Sequence, residues 1–118
     1  MTDDKATAFA EQRGHLNRLL LARAPLPIKR FFALDGDVYD DGALPRATKE
    51  LLGLVASTVL RCDDCITYHL IEADRHGATR DQIVEALAIA LIVGGSITIP
   101  HLRQAFALLE DVRPPRRV

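Results

Sequence analysis

Apolar residues recur at helical spacing along most of the chain, and no stretch alternates with the period of a half-buried strand. The first predicted helix runs from about Asp3 to Ala24, with Leu16, Leu19 and Leu20 at helical spacing, and stops at Pro25 and Pro27. A short apolar stretch follows from Ile28 to Leu34 and carries Phe31 and Phe32. The segment Asp35-Gly36-Asp37-Val38-Tyr39-Asp40-Asp41-Gly42 reads as a loop, too dense in Asp and Gly to favour regular structure. Pro45 suits the first position of the next helix, where its missing N–H costs nothing. That helix, about Arg46 to Leu60, sets Leu51, Val55 and Val59 on one line and Leu52, Ala56 and Leu60 on the next. Another begins near Cys62-Asp63-Asp64, where acids favour the positive end of the macrodipole, and ends at His76-Gly77 with a C′ glycine. Thr79-Arg80-Asp81-Gln82 is a capping box. The helix it opens is apolar at every position from Ile83 to Val93 except Glu85. A last helix spans about Ile97 or Pro100 to Asp111, and Arg113 to Arg117 reads as a loose tail. The pattern predicts one all-α domain of five to six helices over residues 1–112, followed by a tail at 113–118.

A helix that is apolar all round leaves no face for water. A domain of 118 residues buries only roughly two-thirds of its unfolded surface, and five or six short helices seldom enclose one of their number. The expected solution is a second copy of the chain, covering the Ile83–Val93 helix and the Gly94-Gly95 corner.

Composition narrows the classes further. Lys and Arg number 15 against 16 Asp and Glu, a net of -1, which lacks the basic surplus of a nucleic-acid binder. With 48% hydrophobic and 26% charged residues the bulk of the chain is expected to fold. Asp3, Asp4 and Lys5 stand where a secretory leader would begin its apolar region, and the longest apolar run is too short for a membrane span. A cytoplasmic location is the resulting expectation. In a reducing compartment, two cysteines point to metal binding or redox chemistry before a structural staple.

Cys62-Asp63-Asp64-Cys65 is a C-x-x-C, and His69 follows four residues after Cys65. In a helix starting at Cys62 or Asp63, positions 62, 65 and 69 share one face. The helix N-terminus favours thiolate over thiol, and an imidazole one turn on can accept and return a proton near neutral pH. Two thiols at this spacing can close to a disulfide and reopen, storing two electrons. Asp63 and Asp64 act the other way, since neighbouring carboxylates raise thiol pKa values. A c-type haem attachment fails because Ile66, not His, follows Cys65. Zinc would use Cys62, Cys65 and His69 with Glu50, His76 or His101 as a fourth ligand, without the usual second Cys/His knuckle. Two small core hydrophobes on an amphipathic helix is the blandest alternative. Tyr68 and His101 read as packing or capping residues, and His15 and His76 as surface residues.

These residues resemble the carboxymuconolactone decarboxylase family, in its AhpD-like alkylhydroperoxidase branch. The resemblance covers roughly Leu44 to Leu109: Leu44-Pro45-Arg46 leading into Thr48-Lys49-Glu50-Leu51, then Cys62-x-x-Cys65-x-x-x-His69, Gly77 and the Gly94-Gly95 corner. It implies an all-helical subunit assembled as a trimer or hexamer. It also implies that Cys65 is the peroxidatic thiol, that Cys62 resolves it to a disulfide, and that Glu50 and His69 form a proton relay. The substrate would be a hydroperoxide and the reductant a dithiol of the lipoyl or thioredoxin type, with no cofactor or resident metal. The family's lactone decarboxylases typically lack the cysteine pair; a lyase acting on a small carboxylated lactone, or a non-catalytic or zinc-binding member, are the alternatives. Glu50 lies twelve residues before Cys62, on the order of 18 Å along a straight helix. Only a helix packed back on itself, or a neighbouring subunit, would bring its carboxylate to the thiols; otherwise it is a solvated first-turn Glu.

Overall fold

In the computed structural model, which describes residues 4–113, the apolar runs of the sequence are helices. They are α1 (Asp4–Arg23), α2 (Leu26–Tyr39), α3 (Arg46–Val59), α4 (Asp63–Arg75), α5 (Arg80–Gly94) and α6 (Ile99–Val112), with a 3-10 turn at Ser96–Thr98 before α6. No strand occurs among the described residues, so the all-α class holds. None of these helices is long and apolar enough to cross a membrane.

Helix α3 packs most closely on α4 and α5, α6 lies against α4, and α1 runs beside α6. The core sits between α3, α4, α5 and α6, where Leu54, Leu70, Ile83, Leu87 and Leu109 are fully buried. Ala6 and Phe9 of α1 pack at its edge. The Thr79–Gln82 capping box forms as its sequence predicts, with Thr79 Oγ1 accepting from Gln82 N–H and Gln82 Oε1 accepting from Thr79 N–H. Gly95 turns the chain after α5 at φ 82. Beside it, a Cβ on Gly94 would lie 2.5 Å from Thr98 Cγ2, so only glycine lets the end of α5 approach this closely.

Two expectations need correction, and a third holds. The Asp35–Tyr39 stretch is not a loop but the last turn and a half of α2. Asp and Gly disfavour a helix weakly, and here Lys49 of α3 overrides them: its Nζ donates to Val38 O at 2.8 Å and Asp40 O at 2.6 Å, satisfying carbonyls that the helix end leaves open. The α5 helix, as its all-round apolar pattern predicts, is not enclosed by its own chain. It buries Ile83, Ala86, Leu87 and Ala90, yet Ile89 is 57% exposed and Ile92 84%. Finally, Arg113 does not begin a loose tail: its guanidinium reaches back to Asp74 Oδ1 at 2.6 Å, extending the fold one residue past 112. Residues 114–118 of the expected tail lie outside those described.

Candidate active site

A single backbone device sets up the site. Helix α3 ends with Cys62 N–H donating to Ser57 O at 3.0 Å and Arg61 N–H to Thr58 O at 3.0 Å, the pair of bonds that closes a Schellman motif. Arg61 occupies the left-handed position at φ 61, where glycine is usual. The turn sends α4 back antiparallel along α3, and Cys62 becomes the N-cap of α4, its Sγ accepting from Cys65 N–H at 3.3 Å. Cys62 and Cys65 are joined as a disulfide, with Cα atoms 5.3 Å apart, within the ordinary range for such a bond.

The reversal answers the question of reach that the spacing of Glu50 posed. Glu50 is not a solvated first-turn residue: it is fully buried, and its Oε1 lies 2.8 Å from His69 Nδ1. Its second oxygen accepts from Arg46 Nε at 2.7 Å. Burial pushes the Glu50 carboxyl up, but the bonds from His69 and Arg46 outweigh that penalty and hold it below its ordinary value. An ionised carboxylate can only accept, so Nδ1 of His69 carries the proton of that bond. Arg46 also approaches Glu72 at 3.6 Å, and Glu72 in turn holds Arg75 at 2.6 Å.

Aromatic side chains fix the imidazole ring. Tyr39, at the end of α2, stacks on His69 with centroids 5.4 Å apart, and Tyr68 meets it edge-on at 5.1 Å. Burial, and then the charge of Glu50, raises the Tyr39 hydroxyl pKa; burial, and then Glu72, raises that of Tyr68. Gly53 lies under the ring: a Cβ there would stand 2.7 Å from the Tyr39 hydroxyl and 2.8 Å from His69 Nδ1. Any side chain at Gly53 would therefore displace one of the two rings.

Cys65, Tyr68 and His69 open onto a cleft of about 180 Å³ that Arg13, Asp35 and Asp64 complete. Cys62 is not among its lining residues and Glu50 stands behind His69, so the four expected site residues divide into two facing the cleft and two supporting them. His101, expected to cap or pack, instead places Nδ1 2.7 Å from Asp63 Oδ1, setting a potential cation against one of the two acids beside the thiols. Of the residues considered as a fourth zinc ligand, Glu50 is bound to His69 and Arg46, His101 to Asp63, and His76 lies 3.7 Å from Glu72. Arg46, Gly53, Tyr39 and Arg13 are the neighbours that sequence reasoning did not single out. Arg46 had a usable signal, four residues before Glu50 on the same helical face. Arg13 and Tyr39 come from helices with no local motif.

Similarity to known proteins covers the same ground. A crystal structure from Thermotoga maritima, of a carboxymuconolactone decarboxylase family protein described in connection with the antioxidative response, is 57% identical and superposes with a TM-score of 0.85 over 90% of each chain. The apo form of a carboxymuconolactone decarboxylase family protein from Legionella pneumophila is 30% identical, with a TM-score of 0.61 over 94% of this chain and 89% of that one. An uncharacterized protein of Cupriavidus necator is 34% identical over 110 residues, 93% of this chain and 96% of the relative. The family pattern itself matches residues 25–111, which hold the cysteines, His69, Glu50 and Tyr39, and the chain therefore belongs to the carboxymuconolactone decarboxylase family.

Proposed function

We propose that this chain is a thiol-dependent, peroxidase-type oxidoreductase that reduces hydroperoxides through Cys65 and Cys62. One observation carries the proposal: a closed Cys62–Cys65 pair opens a helix, with a Glu50–His69 pair one turn behind and a cleft on the Cys65 side. In the first step His69 Nε2 takes the Cys65 thiol proton while Glu50 holds Nδ1–H in place. The thiolate attacks the hydroperoxide, the O–O bond breaks, and sulfur is oxidised to a sulfenic acid while the alkoxide leaves and is protonated. Cys62 then attacks the Cys65 sulfur, forming the disulfide and releasing water. An external dithiol of the lipoyl or thioredoxin type reduces the pair and is itself oxidised to a disulfide. The lining of the cleft supports Cys65 over Cys62 as the first nucleophile.

We further propose a homo-oligomeric working unit, a trimer or hexamer, in the cytoplasm; the apolar surface of α2 and α5 supports the association of copies. Phe31, Leu34 and Val38 of α2 and Ile89, Ile92 and Val93 of α5 are all exposed in one chain, more apolar surface than a monomer usually leaves in water.

The test is a thiol count. Reduced protein treated with one equivalent of hydroperoxide should lose two thiols, restored by dithiothreitol. Cys65→Ser should consume no peroxide, and Cys62→Ser should accumulate a sulfenic acid on Cys65 that dimedone labels. Two thiols still free after peroxide treatment of the folded protein would falsify the proposal; a dimedone label on Cys62 in the Cys65→Ser variant would reverse the two roles.

A further inference from the structure

We infer that Arg13 is the thiolate-stabilising cation of the site, acting on Cys65 from outside the part of the chain that carries the family pattern. It rests on the dithiol reading above and adds a residue that the motif does not contain: the pattern begins at residue 25, whereas Arg13 lies in the middle of α1.

The need for a cation follows from the charges around Cys65. The cleft is lined by the carboxylates of Asp35 from α2 and Asp64 from α4, both of which disfavour a thiolate. Asp63 lies one residue further off, against His101 of α6. Behind the cleft, on α3, the Glu50 carboxylate is occupied by Arg46 and His69. Without a further positive charge, the helix N-terminus alone would have to offset two acids at the cleft. Arg13 is the one Arg or Lys among the residues lining that cleft.

Its placement keeps the charge available. The Arg13 guanidinium carbon lies 3.8 Å over the Tyr68 ring centroid, a cation–π seat that fixes the head group without using its N–H donors in an ion pair. No ion pair to Arg13 is formed by the described residues, whereas Arg46, Arg75, Arg80 and Arg113 are each paired with a carboxylate. A fixed guanidinium lining the same cleft as Cys65 serves two moments of the reaction. It favours Cys65 as thiolate before attack, and it offers hydrogen bonds to the oxygen that leaves with the electron pair of the O–O bond.

The experiment isolates Cys65 in the Cys62→Ser background and measures its thiol pKa from the pH dependence of iodoacetamide alkylation, with circular dichroism to show that each variant is folded. Arg13→Gln should raise that pKa by about 0.5–1 unit and Asp64→Asn should lower it, with Arg13→Lys retaining most of the parent value. With Cys62 present, peroxide consumption by Arg13→Gln should drop roughly three- to tenfold near neutral pH and recover at about two units above it, as the thiolate forms without help. An alkylation pKa in folded Arg13→Gln equal to or below the parent's overturns the inference. Because alkylation uses no peroxide, a shifted pKa without any peroxidase activity would instead sink the peroxidase reading and leave the role of Arg13 standing.

Discussion

Replacing Gly53 by alanine tests the geometry of the site more sharply than removing any of its functional groups. The added methyl would stand 2.7 Å from the Tyr39 hydroxyl oxygen and 2.8 Å from Cε1 and Nδ1 of His69. Comfortable carbon contacts lie at about 3.5–4.0 Å, so the imidazole must retreat by roughly 0.7–1.2 Å. A retreat of that size carries the 2.8 Å bond to Glu50 Oε1 out of hydrogen-bonding range. In an ordinary helix interior the same substitution gains roughly 0.5–1 kcal/mol, because glycine loses more freedom on folding. Overpacking here costs about 1–3 kcal/mol and the weakened bond to a buried charge about 1.5–3 kcal/mol. The expected net loss is about 1.5–5.5 kcal/mol, the reverse of the usual sign. Gly36, also helical but with nothing within 4 Å of its hypothetical Cβ, is the control: Gly36→Ala should gain roughly 0.4–1 kcal/mol. Urea unfolding measures both, with the midpoint reporting stability wherever the slope is unchanged. Adding Tyr39→Phe to Gly53→Ala removes one of the clashing atoms and should recover part of the loss. If Gly53→Ala stabilised the protein as Gly36→Ala does, the close seat of His69 on α3 would be refuted.

Three further outcomes are expected. The lowered Glu50 pKa implies a stability contribution that is complete above its ordinary value of 4.5 and fades as pH falls through the folded value; unfolding midpoints should decline on acidification from there, less steeply in Glu50→Gln, which starts about 1–3 kcal/mol less stable. Arg61→Gly should stabilise the chain by about 0.5–1 kcal/mol in the same urea assay, since a non-glycine residue at φ 61 is strained and glycine is not. Light scattering should report a mass that is a multiple of 13.0 kDa, and Ile92→Asp should reduce it; a well-behaved monomer of the unmodified chain would defeat the oligomer proposal.

The parts of the fold legible in the sequence are those whose physics is local. The Thr79–Gln82 capping box, the glycine after His76 and the three-plus-four spacing of Cys62, Cys65 and His69 each depend on bonds within a turn or two, and each appears where the pattern puts it. Glu50 shows the boundary. Its meeting with His69 depends on an Arg in a left-handed turn reversing the chain, and no rule of composition expects Arg at that position. Resemblance to a family supplied what spacing did not. The helix over Asp35–Tyr39 was hidden because its C-terminal carbonyls are satisfied by Lys49, a residue of the next helix. Arg13 is the extreme case: nothing around it in α1 marks it, and only the tertiary fold brings it over Tyr68 of α4.

The bond between Cys62 and Cys65 spans only three positions of sequence. In the chain-entropy picture a loop of about four residues restrains the unfolded chain by only ~2 kcal/mol, against ~3 kcal/mol for a loop of about fifteen. Scission of that bond therefore leaves most of the folding free energy untouched. The backbone on either side is held by Cys62 N–H to Ser57 O at 3.0 Å and Ile66 N–H to Cys62 O at 2.9 Å, neither of which involves sulfur. An opened pair thus stays in register, its two sulfurs confined to one helical turn at high effective concentration. Under the proposed thiol chemistry, electrons would enter and leave this crosslink without setting the melting of the domain in motion, which would separate turnover from wear.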